Sequence, residues 1–174
     1  MKEKKKNQLK RLVIAQNDLS QARSFCNYIE RKKLFNPSSN DERLVRRALD
    51  TAIVVAYSRP FKGGKRNNSS VPSMMTGKYM SVLTDEEKEL HKRMLKRRSS
   101  EYAHSDAEAY NVKFYVTDAP ELPFNFMIPS SRNPHAPIPQ NELKSLELII
   151  EKILAFSFEK SRELSEELFP DNLS

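Results

Sequence analysis

Apolar residues recur at Leu12, Ala15, Leu19, Ala22, Cys26 and Ile29 in steps of three and four, the spacing of one stripe along a helix. The pattern predicts a first long helix from Leu9 to about Leu34, preceded by a basic N-terminal tail over 1–8. Phe35-Asn-Pro-Ser-Ser-Asn40 then favours a turn through its Pro and small polar residues. A second helix opens at Asn40-Asp-Glu. Its Leu44, Val45, Ala48, Leu49, Ala52, Ile53 and Ala56 predict a broad buried face, with Val54 and Val55 adding apolar surface elsewhere, so this helix is expected to be central. It stops at Ser58-Arg-Pro60, because proline disfavours helical geometry in the residue before it.

The segment 59–82 is basic, with Phe61-Lys-Gly-Gly-Lys-Arg66 at its start, and reads as a surface loop lacking the Gly-x4-Gly-Lys-Ser/Thr spacing of a phosphate-binding loop. Thr84-Asp-Glu-Glu87 has the form of a capping box and starts a third helix, which carries Leu90, Met94 and Leu95 inward and runs toward His104. His91, Leu95, Arg98 and Tyr102 share one of its faces. Across 111–139 the period changes to two: Val112, Phe114 and Val116, then Phe124, Phe126 and Ile128, predict an extended or hairpin-like, Pro-rich insert. From Asn141 the helical stripe returns with Leu143, Leu146, Ile150, Ile153, Leu154 and Ser157. The expected fold is all-α, a single domain over 1–174 built as an up-and-down bundle of about four main helices.

Composition narrows the class. Hydrophobic residues make up 38% and charged residues 30% of 174, with three glycines, which suits long helices with charged outer faces. A single cysteine excludes an internal disulfide framework and a Cys-based zinc cage, and points to a reducing cytoplasmic setting. The longest apolar run, Ala52-Ile-Val-Val-Ala-Tyr57, is far short of the roughly 20 residues that cross a bilayer, and the N-terminus lacks an export signal, so no membrane partner is expected. The net charge of +7 favours a polyanionic partner and is polarised: residues 1–11 carry +5, residues 59–98 carry +7 and residues 140–174 carry −4.

Candidate chemistry concentrates in Arg98-Ser-Ser-Glu-Tyr-Ala-His104, followed by Ser105 and Asp106. RNA contains its own nucleophile, the 2′-hydroxyl. Cleaving it needs a group that moves protons near neutral pH, as His104 does, and a permanent planar cation for the phosphate oxygens, as Arg98 is. This route uses no metal and no cofactor. Lys92, Arg93, Lys96 and Arg97 on the same helix would guide the RNA backbone. Glu101-Tyr-Ala-His104 is also a Glu-x-x-His step of the kind used in di-iron bundles, but a second such step is absent.

This stretch, with Glu87-Lys-Glu-Leu-His91 before it, resembles the HEPN superfamily of small helical-bundle proteins, and more closely its abortive-infection type U-like branch. The likeness rests on Arg98-Ser-Ser-Glu-Tyr-Ala-His-Ser-Asp106 and, independently, on Tyr57-Ser-Arg-Pro-Phe61 before a variable loop. It implies a metal-independent endoribonuclease of a prokaryotic toxin or phage-defence system, with Arg98 and His104 as the active pair. It also implies a homodimer whose two motifs share a cleft, so that a second His104 supplies the second proton-transfer group. Ser99 departs from the Asn, Asp or His usual after the motif arginine; it can hydrogen-bond but not ionise. Glu101 either orients His104 or lies on a solvated face. Asp106 either holds the imidazole or caps a helix end, and Tyr102 either stacks on a base or packs in the core. His91 reads as structural. The competing expectations are a non-catalytic RNA- or partner-binding module, and a toxin held silent by an antitoxin that binds or modifies the motif region.

Overall fold

The computed structural model describes residues 2–61, 64–66, 69–71, 77–99, 113–117, 126–130 and 136–170. Four helices dominate them: α1 (Lys2–Arg31), α2 (Asn40–Ser58), α3 (Asp85–Arg97) and α4 (Gln140–Leu168). Contacts between helices fix their directions. Lys5 pairs with Glu167, Gln16 donates to Ser161 Oγ at 2.9 Å, and Lys144 lies 3.9 Å from Glu30, so α1 and α4 run antiparallel. Arg11 donates to the carbonyls of Arg59 and Pro60, while Arg46 reaches Leu34, so α2 returns along α1. Glu87 with Lys152 and Arg93 with Glu142 make α3 antiparallel to α4. The result is the expected up-and-down, all-α bundle.

Two short antiparallel hairpins lie between helices. β1 (Gly64–Arg66) pairs with β2 (Ser69–Val71) inside the basic segment, which therefore carries more order than a plain loop, and 3₁₀ turns at Arg59–Phe61 and Lys78–Val82 bracket it. β3 (Lys113–Thr117) pairs with β4 (Phe126–Ser130), with Tyr115 opposite Ile128, so the insert before α4 contains the hairpin that its period of two implies.

Helix α1 starts at Lys2, so within the expected tail over 1–8 the described residues 2–8 are corrected to helix. Lys, Glu, Gln and Leu are good helix formers, and Lys5 is held against the far end of α4 by Glu167. The helix ends in a Schellman turn: Leu34 N–H donates to Ile29 C=O and Lys33 N–H to Glu30 C=O, both at 3.0 Å, with Leu34 and Ile29 buried together. Lys33 occupies the left-handed position, φ +54°, that glycine adopts without strain. Lys33→Gly is expected to raise stability by up to about 1 kcal/mol; unchanged or lower stability in urea would contradict this.

The core is the convergence of stripes from α1 (Leu12, Ala15, Leu19, Ala22, Cys26, Ile29) and α4 (Leu143, Leu146, Ile150, Ile153), all buried as their spacing predicts. Burial pushes the Cys26 thiol up, with the Glu147 and Asp50 carboxyls adding to the rise, so it is unreactive at neutral pH. Helix α2 departs from expectation. It buries Arg46, Asp50, Ile53, Val54, Ala56, Tyr57 and Ser58, while Leu44 is 68% and Val45 42% exposed and Ala48 is exposed. The reason is an ion pair: Arg46 Nε donates to Asp50 at 3.0 Å, and the other guanidinium nitrogens donate to Leu34 C=O at 3.2 Å and Ile138 C=O at 2.6 Å. The Phe35 ring lies 5.1 Å from the same guanidinium. With all three guanidinium nitrogens hydrogen-bonded the pair is accommodated in the interior, and α2 turns its aliphatic stripe outward.

Candidate nucleic-acid site at the end of helix three

Helix α3 is set by its ends. Thr84 Oγ1 accepts from Glu87 N–H at 3.3 Å and the Glu87 carboxylate accepts from Thr84 N–H at 2.8 Å, the reciprocal capping box expected from the spacing. Asp85, Glu86 and Glu87 occupy the first turn and Lys96 and Arg97 the last, each matching the sign that the helix dipole favours there. Leu90, His91 and Met94 face the core. The helix widens into a π-type turn over 98–99, where the candidate motif begins.

The structure brings Arg97, Arg98 and Ser99 together at this end, beside the return of the insert into α4. Arg97 donates to Ala136 C=O, so a side chain expected to contact RNA instead ties α3 to the segment before α4. Arg98 is half-buried, and its guanidinium has no hydrogen bond or ion pair among the described residues. Ser99 Oγ donates back to Leu95 C=O at 3.0 Å, within its own helix. Glu101, Tyr102, His104 and Asp106 lie outside the described residues.

Of the cations expected to guide RNA, Lys92 pairs with Glu89 at 2.7 Å and Arg93 with Glu142 at 3.0 Å, both in exposed pairs worth little individually and open to exchange. Lys96 is exposed and already has an interaction partner. A groove of about 410 Å³ between α3 and α4 is lined by Glu86, Glu87, Glu89 and Glu142 against Arg93. Its mostly acidic walls are unfavourable to a phosphate chain. Among the described residues no group of three or more His, Cys, Asp or Glu is arranged to hold a metal ion, and no helix is long and apolar enough to cross a membrane.

On the buried face of α3, His91 sits in an aromatic nest that the spacing alone did not reveal. Tyr57 Oη lies 2.7 Å from Nδ1 and Tyr79 Oη 3.4 Å from Nε2, so a neutral imidazole donates to one tyrosine and accepts from the other. The Phe61 ring meets the imidazole edge-on at 4.7 Å and the Tyr79 ring at 4.8 Å. Phe61 precedes the β1–β2 hairpin in the chain and Tyr79 follows it, and both rings meet at His91 of α3. The sequence signal available was Tyr57-Ser-Arg-Pro-Phe61, which combines the last turn of α2 with the first ring of the nest. Removing one hydroxyl, Tyr57→Phe, is expected to destabilise the fold by about 1 kcal/mol, read from urea unfolding at pH 7; no loss would show that this bond is dispensable.

Compared with protein-family models, with curated proteins and with solved structures, the chain has no match.

Proposed function

We propose that this protein is a HEPN-like, metal-independent endoribonuclease of the abortive-infection type U-like branch, acting as a prokaryotic toxin or phage-defence component. The observation that carries the reading is Arg98: a half-buried arginine, without a partner among the described residues, at the end of a capped basic helix and six positions before His104. In this reading Arg98 holds the scissile phosphate through charge-assisted bonds. One His104 takes the proton from the 2′-hydroxyl, whose oxygen attacks phosphorus. The His104 of a second copy protonates the departing 5′-oxygen, leaving a 2′,3′-cyclic phosphate and a 5′-hydroxyl end. Lys92, Arg93 and Lys96 extend the cationic track by exchanging their present partners, Glu89 for Lys92 and Glu142 for Arg93, for phosphate.

The test is cleavage of a labelled RNA in EDTA by the wild type, His104→Ala and Arg98→Ala. The wild type is expected to cut, and each variant to lose at least about 100-fold. Equal rates in all three, or no cleavage by the wild type across varied RNAs, would overturn the assignment. One observation favours a second reading, a non-catalytic RNA-binding or partner-binding module: the Ser99 hydroxyl donates to Leu95 C=O, so the position that is usually ionisable or amide-bearing in the family is occupied with its own backbone. That reading gives salt-sensitive RNA binding that survives His104→Ala and weakens when Lys92, Arg93 and Lys96 are neutralised together.

A further inference from the structure

The outward face of α2 has an order that its exposure alone does not require. On a helix the residues Asp41, Val45, Ala48, Ala52, Val55 and Arg59 are separated by four, three, four, three and four positions, so they form one continuous stripe. This stripe lies opposite the buried one formed by Arg46, Asp50, Ile53 and Tyr57. Val45 and Ala48 are exposed, Ala52 and Val55 are half-buried, and Leu44, the most exposed apolar side chain of the helix, flanks them. The stripe is also symmetric about position 50. Reversing the helix puts valine opposite valine, alanine opposite alanine, and the acid at one end opposite the base at the other.

We propose that α2 is a self-association surface, on which a second copy of this chain packs its own α2 antiparallel about a two-fold axis at position 50. Val45 then meets the partner's Val55, and Ala48 the partner's Ala52. Alanines at the centre let the helix axes approach to about 8 Å, with the valines interlocking on either side as in a coiled-coil seam. Asp41 meets the partner's Arg59 at both ends. Arg59 is about half exposed and spends one hydrogen bond on Asp18 at 3.3 Å, which leaves further guanidinium donors for a second carboxylate. A parallel arrangement would set Asp41 against Asp41 and Arg59 against Arg59, so charge selects the antiparallel one, as do the opposed helix dipoles. One helix pair buries less than the roughly 1,600 Å² of a standard interface, so the dimer forms in a concentration-dependent manner.

The pairing does not rest on the functional reading, and its test contains no RNA. Sedimentation equilibrium of the full chain over a wide concentration range should show a monomer–dimer equilibrium. Ala48→Arg should weaken it at least about 100-fold by placing two like charges at the axis. Asp41→Arg and Arg59→Asp should each weaken it about tenfold, and the two together should restore it to within about threefold of the wild type. Helical circular dichroism confirms that each variant folds. As an independent measurement, Ala48→Cys/Ala52→Cys should cross-link two chains on mild oxidation, Cys26 being buried and out of reach. A strict monomer, a dimer unmoved by Ala48→Arg, failure of the charge swap to rescue, or absence of the cross-link would each overturn the proposal. His104→Ala should leave the dimer unchanged, so loss of catalysis and loss of association are read separately.

Discussion

Arg46→Ala is expected to lower the unfolding free energy by about 3–5 kcal/mol. Both members of the pair are almost wholly buried, Arg46 at 3% and Asp50 at 1% exposure. Burial raises the Asp50 carboxyl and the Arg46 guanidinium pulls it back, with Arg97 and the Ile138 amide helping. Removing Arg46 takes away the main counter-charge and leaves two carbonyls, Leu34 and Ile138, without their donor. The three segments that the guanidinium joins are the turn after α1, the first half of α2 and the approach to α4, so the damage spreads along the bundle. In a chain of this length the loss corresponds to a fall in Tm of about 10 °C. Urea unfolding at pH 7 is the check, together with Arg46→Met/Asp50→Leu, which removes both charges. The double variant should recover most of the loss, because apolar groups of similar volume do not need the missing partner. A loss under about 1 kcal/mol for Arg46→Ala would show that water replaces the bonds.

Acid is expected to weaken the fold through His91. Burial pulls its pKa down from 6.5 to about 4, since the charged imidazolium would lose its hydration among Tyr57, Phe61 and Tyr79. The groups facing it are neutral: burial pushes the Tyr57 hydroxyl well above its ordinary range, with Tyr79 and Glu87 adding to the rise, and burial also raises Tyr79. The unfolded chain therefore takes up a proton below about pH 6.5 that the folded chain refuses until about pH 4. Stability from this site is complete above pH 6.5, falls as the pH drops, and is lost by pH 4, a change of about 3 kcal/mol. Comparing wild type with His91→Gln isolates the histidine from the carboxylates that titrate in the same range. The wild type should lose more stability than the variant between pH 7 and pH 4.5; equal slopes would show that His91 is protonated in the fold.

The candidate site was legible in part. A basic helix with a capping box, ending in Arg98 six positions before His104, is a local pattern and needs no knowledge of the fold. Which cations remain available for a ligand is a different matter. Lys92, Arg93, Lys96 and Arg97 look alike in sequence, but Arg97 lies within reach of Ala136 and Arg93 of Glu142, residues about forty to fifty positions away. The polarised charge follows the same logic. The basic start of α1 and the acidic end of α4 are distant in the chain, and antiparallel packing sets them side by side through Lys5 and Glu167, so part of the charge that suggested a polyanion is matched within the bundle.

The sequence by itself determined that there are four helices, the capping box of α3 and the buried stripes of α1 and α4, because periodicity, proline and capping act over a few residues and leave the same mark wherever the helix is placed. Tertiary structure alone decided which side of α2 faces inward. Hydropathy favours burying Leu44, Val45 and Ala48, yet the guanidinium of Arg46 finds Asp50, Leu34 and Ile138 at once, and this set of bonds exists only when three distant segments meet. The same is true of the nest around His91. Helix formation is a local property, whereas the burial of a polar side chain depends on partners that the fold must first bring together.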